Sequence, residues 1–149
     1  MGTVYAEITL KNAGDLVRVR ERLIKDQDVR EVRVNAMVDT GAYTLFIGEA
    51  LCEELGLLIQ ETDEITLANN TKEICKIAEP VEIQWKQRRS VLRPWVLPGI
   101  DEVLLGSIPL EDMDLMIDPG NEELTGRHGD KVVGRAVGVR RSNSSQPPK

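Results

Sequence analysis

The chain has 149 residues, 41% apolar and 30% charged, which suits one globular domain with a true core and is too short for two well-packed ones. Its formal net charge of −6 and pI near 4.9 exclude a broad phosphate-binding face, so no nucleic-acid partner is expected. No apolar run approaches a membrane span, and the opening MGTVYAEITL lacks a basic region followed by an apolar one; with no membrane segment or leader expected, the cytoplasm is the default compartment.

Short runs rich in Val, Ile and Leu, separated by turn formers, dominate the chain order and predict a mostly β protein. The first is VYAEITL within Thr3 to Leu10. The next segment, Asp15 to Asp28, is open between helix and strand, because its apolar residues fit a helical face and an alternating strand equally well. Strands are then expected at VREVRVNAMV and TLFI. GEALCEELG reads as a short helix with Gly56 as its stop. ITLA leads to a polar tip, ANNT, and PVEIQW, SVLRPWVL and EVLL follow as strands. SIPLEDM reads as a second short helix that Ser107 can cap, with Pro109 tolerated in its first turn. DLMID is the last strand-like run, and the polar SNSSQPPK at 142–149 is expected to be a disordered tail. The domain is placed at 1–141, with its core over about residues 3–124.

Cys52 and Cys75 are too few and too far apart for a zinc site or a disulfide scaffold and read as buried thiols. The single histidine, His128, has no Cys or Ser placed for a triad and excludes His-rich metal sites. No metal and no cofactor is expected.

Two stretches stand out. In VNAMVDTGAYTLFI an acidic residue, Asp39, interrupts what is otherwise a buried strand. Met37 and Val38 hold the strand down, Asp39 closes it, and Gly41 supplies the backbone freedom for a sharp reversal. By itself this pattern also fits an ordinary hairpin turn. A phosphoaspartate enzyme is disfavoured, because no strand–helix alternation for a parallel sheet follows. The second stretch is VLLG at Val103 to Gly106, another apolar run ending in glycine, followed at once by the short helix.

The order Asp-Thr-Gly-Ala, helix, polar hairpin, several strands, and apolar-Leu-Gly before a helix resembles the retropepsin-like aspartic protease family, in its small bacterial branch. NAGD near the start, VDTGAYTL and LLGSIPLEDMDLMIDP carry the resemblance. It implies a retropepsin-like closed β-barrel or sandwich with one or two short helices, working as a two-fold homodimer. It further implies that Asp39 is the catalytic carboxylate, that Thr40 ties the two active-site loops together, and that Gly41 lets the loop approach its mate. Ala42 and Leu105 support the loop, and Gly106 packs beneath it. The hairpin Leu67, Ala68, Asn69, Asn70, Thr71 and Lys72 takes the place of the flap over substrate. It departs from viral flaps in having no glycine.

Aspartic proteolysis needs two carboxylates sharing one proton, one as base on a water and one as acid on the scissile carbonyl. Only one Asp-Thr-Gly is present, and Asp118 in IDPGN has no matching context. A second copy of the chain would therefore supply the second Asp39, with the N-terminal strand Thr3 to Leu10 pairing as an edge across the axis and Lys131 to Val139 contributing. The expected substrate is an extended peptide or unfolded protein. The rival reading is a catalytically silent retropepsin-like dimer that binds peptides or regulatory partners. With aromatic residues at 3%, no aromatic-lined pocket is assigned, and Trp85 and Trp95 read as core or interface.

Overall fold

The first two strands set the inside and the outside of the sheet. β1 (Val4–Asn12) and β2 (Glu31–Val38) pair antiparallel from Val4↔Val38 to Lys11↔Glu31. Val4, Ala6, Ile8 and Leu10 are buried, as are their partners Ala36 and Val38, whereas the alternate residues face outward. A period of two is what a sheet covered on one face requires. The computed structural model describes residues 2–131; the expected tail at 142–149, and all but the first residue of the stretch Lys131 to Val139, lie outside them.

The remaining strands are β3 (Leu45–Ile47), β4 (Ile59–Thr66), β5 (Lys72–Ala78), β6 (Val81–Trp85), β7 (Arg88–Leu92), β8 (Trp95–Val96) and β9 (Leu104–Leu105). They form one nine-stranded sheet in the order β4-β5-β8-β3-β9-β2-β1-β6-β7. β9 is the wedge of this arrangement. It runs parallel to β2, with Met37↔Leu104 and Val38↔Leu105, and antiparallel to β3, with Leu45↔Leu105 and Phe46↔Leu104. A strand inserted between two others that are only six residues apart in sequence forces the chain joining them, Asp39 to Thr44, to arch over its end.

β10 (Leu115–Asp118) and β11 (Glu123–Gly126) form a separate hairpin packed against β1. The expectation that the N-terminal strand Thr3 to Leu10 is an edge is corrected only from Thr9 onward. Thr9–Asn12 pair with β6 on one side while the same strand pairs with β2 on the other. Only Val4–Ile8 keep a side without strand pairing among the described residues. The sheet's end strands are β4 and β7 instead, and β4 is exposed over almost its whole length.

The segment left open by its pattern resolves into helix α1 (Ala13–Arg20) and a 3-10 turn at Asp26–Asp28, so the described residues hold three short α-helices rather than the one or two expected. Capping decides it. The Asn12 side chain accepts from Asp15 N at 3.0 Å, while its amide donates to Leu55 O at 2.8 Å, so one residue starts the helix and ties it to the core. The Asp15 carboxylate is almost wholly buried and accepts from Arg30 Nε (2.9 Å), Arg30 N (3.0 Å) and Arg18 Nη1 (2.8 Å). The Arg30 hydrogen bonds, reinforced by both positive charges, outweigh burial and hold its pKa down at about 2.

Helix α2 (Glu49–Glu54) ends as expected at Gly56, whose φ of +67° is the left-handed conformation glycine favours. Helix α3 is Ser107–Asp112. Cys52 and Cys75 are both buried free thiols. No helix among the described residues is long and apolar enough to cross a membrane.

Candidate active site

Asp39 leaves the end of β2 with its backbone N–H donating to Leu105 O at 3.0 Å, the last rung between β2 and the wedge strand. Ala42 N then donates to Asp39 O at 3.0 Å and closes a tight turn over Thr40 and Gly41. Inside this turn Gly41 N donates to Asp39 Oδ1 at 2.9 Å. The far limb of the arch is gripped from below by three consecutive amides: Gly106 N on Thr44 O (3.0 Å), Ser107 N on Ala42 O (2.9 Å) and Ile108 N on Tyr43 O (3.1 Å). The arch has no pairing of its own, so the residues 105–108 satisfy its backbone groups.

Gly106 is required here for its lack of a side chain. A Cβ would stand 2.5 Å from Ala42 O and 2.8 Å from Ala42 C, and closer still to Thr44 O. Its φ of −97° is open to any residue, so the constraint is space alone. Leu105, fully buried, anchors the wedge in the core. Residues 39–42 and 105–106, distant in sequence, are thus in one place. Ser107 does not cap α3 as the sequence predicts. The cap position is Gly106, without a side-chain bond, and the Ser107 hydroxyl donates to Tyr43 O at 3.2 Å; the hydroxyl serves the arch because the arch carbonyl lies within reach.

Asp39 is partly exposed, and Thr40 and Gly41 are exposed. The Thr40 hydroxyl makes no hydrogen bond among the described residues. Asp118 shows how little the local turn distinguishes: Gly120 N also donates to its Oδ1 at 2.9 Å, but its Oδ2 is taken by Asn121 Nδ2 at 3.0 Å and no wedge strand lies beneath it.

The hairpin tip is closed by Leu67 N on Thr71 O (2.8 Å) and Asn70 N on Leu67 O (2.9 Å), flanked by the pair Thr66↔Lys72. Asn70 takes the left-handed φ of +64°, the geometry glycine would otherwise supply and asparagine tolerates. Asn69 Oδ1 accepts from both the amide (3.1 Å) and the hydroxyl (2.5 Å) of Thr71. Ala68 completes the loop. The absent glycines are therefore replaced in conformation at the tip.

Sequence reasoning missed an aromatic cluster beside the arch. Trp95 packs edge-on against Tyr43 (5.8 Å between centroids) and Phe46 (5.9 Å). Tyr43 and Phe46 follow Asp39 closely, but Trp95 is brought in only by the parallel pairing of β3 with β8. Trp85 is partly buried against the core, with Lys86 Nζ 4.6 Å from its ring centroid. His128 Nδ1 lies 2.7 Å from Asp114 Oδ2, an ion pair when the ring is protonated.

A family model described as aspartyl protease matches residues 26–108, a span that holds the arch, the hairpin and the wedge strand. Among solved structures, the retroviral protease-like domain of Ddi1 from Leishmania major superimposes with a TM-score of 0.53 at 16% identity, covering 84% of this chain and 88% of that one. A retropepsin-like aspartic protease from Rickettsia conorii gives 0.51 at 21% identity, covering 78% and 85%. At such identities the likeness is one of fold. No curated protein matches in sequence. With more than half of its length matched by the family model, the chain belongs to the aspartyl protease family.

Proposed function

We propose that the chain is an aspartic endopeptidase in which two copies each contribute Asp39, and a water held between the two carboxylates attacks the scissile carbonyl. The observation that carries this is the seat of Asp39. Asp39 stands at the end of a core strand, its backbone N–H donating to Leu105 O and its carboxylate accepting from Gly41 N, over a glycine that admits no side chain. A simple turn such as that at Asp118 shares the glycine N–H contact to the carboxylate but has neither the wedge strand nor the close-packed glycine beneath it.

In the proposed reaction one Asp39 is ionised and takes a proton from the water, while the protonated partner donates to the carbonyl oxygen. Like charges so close hold a single proton between them. Thr40, exposed and without a hydrogen-bond partner among the described residues, supplies the hydroxyl that bonds across the two-fold axis. The paired surface is expected to bury on the order of 2,000 Å² or more, as in obligate dimers. The hairpin at Leu67–Lys72 closes over an extended peptide, which bonds through its backbone as an added strand.

The test uses mixed dimers. Wild-type chain titrated with excess Asp39→Asn chain should lose cleavage of an unstructured peptide mixture in proportion to the mixed species formed, while sedimentation shows the dimer intact. Cleavage by a strictly monomeric form would exclude the shared site. Peptide binding by the wild type without any cleavage would favour the silent-binder reading.

A further inference from the structure

The strand register places a specific surface on the same side of the sheet as Asp39. The core side holds Val38, Leu105, Leu45, Ile47 and Val96. The opposite side is read across the pairings Met37↔Leu104, Leu104↔Phe46, Phe46↔Trp95, Trp95↔Ile77 and Ile77↔Glu61. The alternation that buries Val38 carries Asp39 out on the Met37 side. Phe46, Ile77 and Cys75 are buried yet stand outside the main core cluster. They form the floor of a second apolar surface, and Tyr43, 60% exposed, forms its open rim against Trp95.

Further along that side the hairpin turns acidic. Asp63 lies opposite Cys75, and Glu73 opposite Ile65, so both carboxylates are on the Asp39 side. Both are exposed, and neither is in an ion pair among the described residues. The lysines of the hairpin do not offset them: Lys72 and Lys76 fall on the other side, 3.7 Å from Glu64 and 3.6 Å from Glu49.

We infer that Tyr43 and Trp95, with Asp63 and Glu73 beyond them, form a specificity surface that selects extended peptides carrying an aromatic side chain near a lysine or arginine. The inference rests on the proposed role of Asp39 for where the peptide lies. An aromatic ring entering beside Tyr43 extends an existing edge-to-face stack, a geometry worth roughly two- to tenfold in affinity. A basic side chain reaching the hairpin meets two carboxylates with no ion-pair partner among the described residues, and an acidic one is repelled.

The experiment is selection of a randomised, end-blocked octapeptide pool on the full Asp39→Asn chain, followed by sequencing of the retained peptides. Enrichment of Phe, Tyr or Trp together with Lys or Arg is expected. Tyr43→Ala should remove the aromatic enrichment and leave the basic one. Asp63→Lys with Glu73→Lys should convert the basic preference to an acidic one and leave the aromatic one. A pool retained without these preferences, or not retained, overturns the inference, as do preferences that neither variant moves. The same pool digested by the wild type separates the two readings. Cleavage with no aromatic or basic preference leaves the protease reading standing and this one refuted, whereas selective retention without cleavage does the reverse.

Discussion

Replacing Gly106 with alanine tests the seat of the carboxylate directly. The added methyl would sit 2.5 Å from Ala42 O, about 1 Å inside ordinary contact, and closer still to Thr44 O. Both oxygens are backbone atoms held by Ser107 N and Gly106 N, so no side-chain rotation relieves the clash. The arch must lift away from the wedge strand, and Asp39 lifts with it. Overpacking of this kind costs about 1–3 kcal/mol of stability, and displacing a reacting group by about 1 Å costs on the order of a hundredfold in rate. Peptide cleavage and thermal unfolding should therefore both fall. Gly48→Ala supplies the control: its Cβ would meet the backbone oxygen of Ile100 with equal severity, at the start of α2 rather than under the arch. It should lose comparable stability with kcat of the folded fraction kept. If Gly106→Ala cleaves within about threefold of the wild type, or if Gly48→Ala loses as much turnover, the arch is not what positions Asp39.

Asp39→Asn keeps an oxygen for Gly41 N and fills the same space, so unfolding should stay within about 0.5 kcal/mol of wild type while cleavage falls by at least about a hundredfold; residual activity near wild type would move the chemistry elsewhere. Asn70→Val forces a β-branched residue to φ near +64°, which costs about 1–2 kcal/mol locally, and should speed hydrogen exchange at the Asn70 and Thr71 amides and raise KM; unchanged exchange would mean the tip has another fold. Asp15, held at about 2 against an ordinary 3.8, binds its proton more readily unfolded than folded. Its contribution of about 2 kcal/mol is fully present above pH 4 and is lost as pH falls toward 2, so the acid limb of an unfolding curve should flatten in Asp15→Asn. Burial pushes the Cys75 thiol up to about 11 and raises Cys52 as well. Native protein at pH 8 should therefore alkylate far more slowly than protein in urea, and rapid native labelling of either cysteine would contradict their burial.

Much of this was legible in the residues because it is local. VDTGA at the end of an apolar run and VLLG before a short helix are each a contiguous signal, and alternation along β1, β2 and β6 fixes which residues face the core whatever pairs with them. Gly56 marks a helix end by its own conformational freedom. The polar tip ANNT announces a hairpin, and asparagine's tolerance of left-handed geometry fits the turn that Asn70 makes.

What only the tertiary structure decided depends on partners far along the chain. Asp15 to Asp28 carried two periodicities at once, and the choice fell to Asn12, whose side chain caps a helix and reaches Leu55 across 43 residues. Ser107 has the chemistry of a cap, yet its hydroxyl goes to Tyr43 O because β9 brings the arch within reach. That the N-terminal strand is internal over Thr9–Asn12 depends on β6, which lies some 70 residues further along the chain. Trp95 gave no sign in its own neighbourhood that it belongs with Tyr43 and Phe46. Local sequence determines what each segment can bury and how each turn can bend; pairing across some 50 residues determines which buried faces meet, and so places Trp95, Tyr43 and Phe46 on the side of the sheet that bears Asp39.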